Sequence, residues 1–414
     1  MKALRAKRLA GFCIILGMYF LSSATIWAEE PKTVKLGTLF PLTGPLSILG
    51  INAKNGCEMA AGEINEAGGI KSLGGAKIEF VHGDTEGKGQ TGMSVAERLI
   101  KKDGVSVCFS GPQSGVTIAT TQISEKYGIP HVVTGSIADA ITGRGFKYVF
   151  RIVSTASKYS VEHFRFIEAM EKQSGLKVKT IGFLYENTEW GQSQVKAWAQ
   201  NKGNRTIVAD FPYAHGTSDI TVTIAKLKAA NPDVVMTCSY VSDAILITKT
   251  MFELDFNCQG ILSSGAGPED PLYYKNLKEL TEYVTTASLF SNHLPGPYAK
   301  VKSEKYEKLY KAHMADHSSL GYAGTYIVAD VLERAASADP KKIREAFART
   351  NLCTGPAMIV PIKCMTFDET GQAPTDPIQV QWQKGILMPV FPREYAAAPC
   401  VWPMPTWKER GLKK

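Results

Sequence analysis

The chain has 414 residues, of which 44% are hydrophobic and 21% charged, enough apolar material for sizeable cores and a composition that excludes disordered and collagen-like classes. Its formal net charge is +8, but Lys2, Arg5, Lys7 and Arg8 crowd four positive charges into the first eight residues. What remains is spread thinly, with no Lys/Arg cluster interleaved with aromatics, and this argues against a nucleic-acid partner.

The first 28 residues read as an export signal. A basic start, MKALRAKR, precedes an apolar run from about Leu9 to Leu21, then small and polar residues, with a cut expected after Ala28. The run is shorter than the ~20 residues that a membrane span needs, and no later stretch is a better candidate. Cys13 lies inside the apolar run and is poorly placed for lipid attachment. A soluble, exported, monomeric product starting near Glu29 is expected, and its length suggests two or three domains at about 100–200 residues each.

From Val34 onward, short β-branched runs alternate with segments of helical period. VKLGTLF (34–40), AKIEFVH (76–82), VSVCFS (105–110) and IPHVVT (129–134) read as strands, separated by helices over 53–67, 91–102 and 116–127. A second series follows: a helix near 158–173, then strands KTIGFLY, TIVADFPY, DVVMTC and QGILSS with helical segments between them. Such alternation calls for an α/β fold with two doubly wound parallel sheets. Strand EYVTTASLF (282–290) leads into a helical stretch over 298–348, then β-like segments AMIVPIKCMTF, PIQVQWQ and ILMPVF. The Pro/Trp-rich tail, 401–414, is expected to pack loosely.

Besides Cys13, the cysteines are Cys57, Cys108, Cys238, Cys258, Cys353, Cys364 and Cys400, an odd number with no CxxC. Export permits disulfides. Cys353 and Cys364 flank TGPAMIVPIK, whose Gly and Pro residues suit a turn that brings the chain back on itself, so this pair is expected to be bonded. The other pairings are left open.

The string VKLGTLFPLTGPLSILGINAKNGCEMAAGEINEAGGI resembles the opening of the extracytoplasmic solute-binding proteins of ABC importers, in the type I family that includes the leucine/isoleucine/valine-binding proteins. The likeness continues through Asp84, FSGPQSGVTIA, IPHVVTGSIADAITGRG, FLYENTEWGQ and FDETGQAPTDPIQVQW, in order and over nearly all of the expected mature chain. It implies two lobes joined by three crossings, 32–152 plus 284–366 and 153–283 plus 367–400, closing on a ligand between them. It also implies an ABC permease as membrane partner, delivery of an amino acid or related small carboxylate, and no cofactor. A ligand-sensing receptor component, or a binder of an amide, urea or aromatic acid, is the alternative. Gly44 and Gly50 are expected to keep the backbone clear for the ligand.

Loops at the carboxyl ends of parallel strands are where open α/β sheets bind small molecules. That rule selects Ser114, Gly115, Gly135, Ser136, Ile137, Trp190, Tyr240 and the loop reaching Glu269. The resemblance implies that Ser114 meets a ligand carboxylate and that Gly135, Ser136 and Ile137 offer backbone groups. Trp190 and Tyr240 would pack on the ligand, and Glu269 would neutralise an amino group. Leu49 stands where the family often has an aromatic residue.

Enzyme chemistry finds little support. GxSxG, a Walker loop and HExxH are all missing, and GAGPED lacks the strand-to-helix setting of a dinucleotide site. No metal site is expected: His313 and His317 have i,i+4 spacing, but their polar neighbours point to an exposed helix face.

Overall fold

The structure is a computed structural model that describes residues 33–412; the expected export segment 1–28, with Cys13, lies outside them. The chain opens with β1 (Thr33–Phe40), α1 (Ser47–Glu66), β2 (Lys77–Asp84), α2 (Gly89–Arg98), β3 (Val107–Ser110), α3 (Ser114–Tyr127), β4 (His131–Val133) and β5 (Val149–Arg151). The five strands form one parallel sheet in the order β2-β1-β3-β4-β5. Strand β3 is buried along its whole length, as expected for a central strand covered by helices on both faces.

A second run follows: α4 (Ala156–Ser174), β6 (Thr180–Glu186), α5 (Glu189–Asn201), β7 (Thr206–Tyr213), α6 (Thr221–Ala230), β8 (Val234–Cys238), α7 (Val241–Glu253), β9 (Gly260–Ser263), α8 (Pro271–Leu277) and β10 (Thr285–Ser288). The chain then returns through α9 (Ala299–Tyr310), α10 (Asp316–Ala335) and α11 (Pro340–Ala348). Helix α10 lies so close along α1 that a Cβ on Gly321 would stand 2.3 Å from the Ala53 carbonyl oxygen, and one on Gly56 1.9 Å from that of Ser318. Only glycine permits that approach.

Next, β11 (Asn351–Leu352) pairs antiparallel with β12 (Met365–Thr366), Leu352 standing opposite Met365. The next rung of that ladder sets Cys353 against Cys364, and the two form the expected disulfide. Finally β13 (Ile378–Gln383) and β14 (Ile386–Phe391) complete a seven-stranded sheet, β14-β13-β10-β9-β8-β6-β7, in which β13 pairs antiparallel with both neighbours and the rest is parallel. Each sheet reverses strand order beside its first strand, between β1 and β3 and between β6 and β8, and loops diverge there to leave a crevice.

Three connections join the sheets: after β5, after β10 and after β12. The first and third run side by side. Arg151 N–H donates to the Gly371 carbonyl at 2.8 Å, Ala373 N–H to the Arg151 carbonyl at 3.0 Å, and the Thr375 hydroxyl to the Ile152 carbonyl at 2.7 Å.

Several sequence expectations are corrected. Strand 285–288 hydrogen-bonds to β9 and β13, so it belongs with the second sheet and the crossing falls after Ser288, later than the expected boundary at 284. Helix α1 begins at Ser47 rather than Ala53. Gly50 therefore sits within a helix, where a Cβ would stand 1.9 Å from the Pro41 carbonyl oxygen; its smallness serves packing against the preceding loop. AMIVPIKCMTF contributes only the two residues of β12, and a short 3₁₀ turn covers Pro356–Ile359. Pro356 and Pro361 withhold the N–H groups that a ladder needs.

The tail is also not loose. Trp402, Met404 and Trp407 are buried, Met404 N–H donates to the Gln259 carbonyl at 2.7 Å, and the Trp407 indole donates to the Phe256 carbonyl at 2.8 Å. Large apolar rings reclaim surface from water even in a proline-rich segment. Trp407→Ala is expected to destabilise the protein by about 3–5 kcal/mol; urea unfolding monitored by circular dichroism measures it, and an unchanged midpoint would show that the tail contributes nothing.

Candidate functional site

The crevice lies where loops of both sheets converge. After β3, the chain turns through Pro112 into α3, whose first residue is Ser114; after β4 it runs through Gly135 to Ile137. From the second sheet come Trp190 at the start of α5, Tyr240 after β8, and Ser264 to Glu269 after β9. Together with Tyr159 on α4 and Asp316 and His317 opening α10, these residues enclose a cavity of about 30 Å³.

Loops of the two sheets touch around it. Asp139 N–H donates to the Ser193 hydroxyl at 3.1 Å, and Ser157 N–H to the Asp139 carboxylate at 3.0 Å. Within the second sheet's own loops and helices, the Ser264 hydroxyl donates to the Gln194 amide oxygen at 2.8 Å.

Of the residues expected from sequence, Ser114, Gly135, Ile137, Trp190, Tyr240 and Glu269 line the cavity. Leu49, Gly115 and Ser136 do not. Leu49 is buried in the core under α1, and the resemblance placed it by position rather than by environment. A Cβ on Gly115 would approach Glu189 Cβ at 3.9 Å, where the two sets of loops meet. The Ser136 hydroxyl points away, bonded to Thr117 at 2.8 Å. The Ile137 carbonyl already accepts from Ala156 N–H at 2.7 Å, so Ile137 offers its side chain rather than that oxygen.

Aromatic packing fixes one wall. The Trp190 and Tyr240 ring centroids are 4.8 Å apart, and Tyr240 in turn meets His215 edge to face at 4.9 Å. His215 Nδ1 lies 2.6 Å from the buried Asp243 carboxylate, which raises the His215 pKa.

Acids form another part of the lining. Glu269 Oε1 accepts from Ala266 N–H at 2.7 Å, whereas its Oε2 is buried without a protein partner. Asp316 Oδ1 accepts from Leu289 N–H at 2.7 Å and from the Ser288 hydroxyl at 3.1 Å. Burial, then the neighbouring Asp316 charge, pushes the Glu269 carboxyl far above the usual range. Burial pushes Asp316 up to about 6 against those two hydrogen bonds. Tyr159, between them, is raised by burial and by both charges.

Sequence reasoning missed Tyr159, Asp316 and His317, because they sit on helix starts at the crossings rather than on loops after strands. It also misjudged the histidine pair. His313 is exposed, but His317 is buried against Gly135, where a Cβ would stand 2.9 Å from His317 Nδ1. Burial lowers the His317 pKa to about 4, so the ring is neutral at pH 7. The polar cluster Asp-His-Ser-Ser ahead of an apolar-periodic run was a helix-start signal, though nothing local says that the start faces the crevice. Three cavity-lining residues thus carry fully buried polar atoms with no protein partner: Glu269 Oε2, Trp190 Nε1 and His317 Nε2.

A sequence model of the family described as periplasmic binding protein matches residues 33–385. The chain belongs to the periplasmic binding protein family. Among curated relatives of this periplasmic binding protein, Leu/Ile/Val-binding protein homolog 8 of Brucella melitensis is 29% identical over 390 residues, covering 91% of this chain and 94% of its own length. Homolog 7 of Brucella suis is 29% identical, over 88% of this chain and 93% of its own. Solved structures share the fold. The branched-chain amino acid transporter substrate binding protein LivJ of Streptococcus pneumoniae, in complex with isoleucine, superposes with TM-score 0.76 at 22% identity, covering 90% of this chain and all of that one. A solute binding protein of an ABC transporter from Rhodopseudomonas palustris, in complex with 3,4-dihydroxybenzoic acid, gives TM-score 0.76 at 20% identity, with 89% and 98% covered.

The raised acids make a pH signature for this periplasmic binding protein. A carboxyl whose folded pKa exceeds its unfolded value keeps a proton that the unfolded chain gives up, so its effect is to weaken the fold as pH rises between the two values. Asp316→Asn, whose amide oxygen keeps both hydrogen bonds, is expected to match the wild type near pH 4 and to exceed it by about 2–3 kcal/mol above pH 7. Thermal melts of both proteins without ligand across that range test it; parallel curves would show Asp316 ordinary.

Proposed function

We propose that this protein is the extracytoplasmic solute-binding component of an ABC importer, exported with cleavage near Ala28, and that it captures an amino acid in the crevice between its two sheets. Three unpartnered polar atoms around one cavity carry the reading. Glu269 Oε2 is an acceptor once the carboxyl is ionised, Trp190 Nε1 donates only, and the neutral His317 Nε2 takes either role according to its tautomer. A buried acceptor without a partner is costly, and a ligand ammonium beside Glu269 and Asp316 removes that cost. The same cavity is also lined by a further donor, the Ser114 hydroxyl at the start of α3, where the helix dipole favours a carboxylate. A site lined by both carboxyls and donors suits a zwitterion.

Uptake then follows from a shift in population. The lobes, 32–152 with the return helices and 153–288 with 367–400, open by bending the three connections, and ligand bridging both walls favours the closed form that the permease recognises. The chemistry asked of the side chains is binding alone, and no cofactor enters. A simple aromatic acid such as the one bound by the Rhodopseudomonas palustris protein leaves the acid wall unanswered.

Thermal-shift screening of the mature protein with amino acids, aromatic and aliphatic carboxylates, amides and urea is the test. An amino acid at 100 times its dissociation constant is expected to add about 2.7 kcal/mol of stability. Glu269→Gln is expected to weaken its binding by about 3 kcal/mol or more, at least a hundredfold, through loss of a buried charge partner. A response to benzoate with none to any amino acid would overturn the zwitterion reading.

A further inference from the structure

Arg151, the last residue of β5, is fully buried. Its charge is felt by Asp139 and Asp368 only from a distance, and among the described residues no carboxylate is hydrogen-bonded to it. A buried cation without an ion-pair partner is costly unless its N–H groups are satisfied, and here neutral oxygens from two parts of the chain satisfy them. Nη1 donates to the Ala138 carbonyl at 2.7 Å and to that of Ser136 at 3.4 Å, Nη2 to the Thr142 hydroxyl at 2.6 Å, and Nε to the Gln372 amide oxygen. Gln372 passes the contact on, since its Nε2 donates to the Val153 carbonyl at 2.7 Å and to that of Ala373 at 2.8 Å. Burial lowers the Arg151 pKa to about 9, so the side chain is charged at pH 7.

The acceptors are not scattered. Ser136 and Ala138 bracket Ile137, which lines the interlobe cavity together with Gly135, and Ala138 N–H donates to the hydroxyl of the cavity-lining Ser114 at 3.3 Å. Gln372 lies in the connection after β12, and Val153 in the one after β5. We infer that Arg151 is a positioning residue for ligand binding: with Gln372 it ties the cavity loop 135–138 to both connections, so that bending of the connections and the shape of the loop change together. The inference rests on the reading of the crevice as the ligand site, but not on the ligand's being a zwitterion. The flat guanidinium fork reaches these acceptors in fixed directions, which the single charged point of a lysine would not reproduce.

Hydrogen exchange of the ligand-free mature protein, and calorimetric titration with L-alanine, L-leucine, L-phenylalanine and benzoate, test this on Arg151→Met, Gln372→Met and the double variant. Gln372 is only half-buried and makes no hydrogen bond to residues 135–139, so Gln372→Met is expected to fold even if Arg151→Met does not. Exchange across 135–139 is expected to quicken about tenfold or more in Gln372→Met, the effect of losing one hydrogen bond to a charged group, transmitted through Arg151. Any probe that binds the wild type is expected to bind each single variant about tenfold or more weakly, and the double variant no more weakly than Arg151→Met, because both residues act through one tie. Unchanged exchange across 135–139 in Gln372→Met, a lowered melting temperature with unchanged affinity, or losses that add in the double variant would overturn the coupling. Exchange needs no ligand, so its outcome stands whichever probe binds. Benzoate as the sole ligand, with the same ratios between variants, would overturn the zwitterion reading and leave the coupling standing.

Discussion

Two carboxyl groups, Glu269 and Asp316, are held out of water on one wall of the crevice with only backbone N–H groups and the Ser288 hydroxyl to satisfy them. Isolated ionised carboxylates in such a place are strongly disfavoured, and two of them more so, so the pair keeps a proton or waits for a cation. The elements that hold them are among the most constrained in the chain. Glu269 ends the loop after β9, and Asp316 opens α10, a helix locked along α1 by Gly56 and Gly321. Glu269 comes from a loop of the second sheet and Asp316 from a helix reached after the β10 crossing, so movement of one lobe against the other would change their spacing.

Another part of the lining is arranged by aromatic contact instead. Asp243 orients His215, His215 meets Tyr240 edge to face, and Tyr240 packs on Trp190. Each ring is placed by its neighbour, so the indole N–H reaches the cavity on a rigid support, which limits the ordering cost of binding. The connections after β5 and β12, laced through Arg151, Gly371, Ala373 and Thr375, hold the two walls in register at the base of the crevice.

Much of this was legible in the sequence. Alternating β-branched and helical segments gave the doubly wound sheets, because strands buried on both faces must be apolar throughout, and the Gly/Pro turn between Cys353 and Cys364 led to the disulfide. The rule of loops at strand ends pointed to Ser114, Gly135, Ile137, Trp190, Tyr240 and Glu269, which line one cavity of the crevice. It failed where a residue's role depends on the crossings: Asp316 and His317 are adjacent in a polar stretch that reads as a solvated helix face, and only the packing of α10 on α1 turns that helix start into the crevice. Leu49 and Ser136 failed for the opposite reason, since a position next to a ligand loop does not say which way a side chain points. The tail misled because its prolines suggest looseness, whereas Trp402 and Trp407 bury their rings against β9 and the loop before it.

The central claim is that an acid pair, partly protonated when unliganded, receives the ligand's ammonium. Proton exchange on binding tests it most directly: titrate the best amino-acid ligand near pH 6 by calorimetry in two buffers of different ionisation enthalpy. Release of protons on binding, diminished in Asp316→Asn, is the result expected, because a cation lowers the pKa of the carboxyls it meets. Binding with no proton exchange at that pH in the wild-type protein would contradict the account.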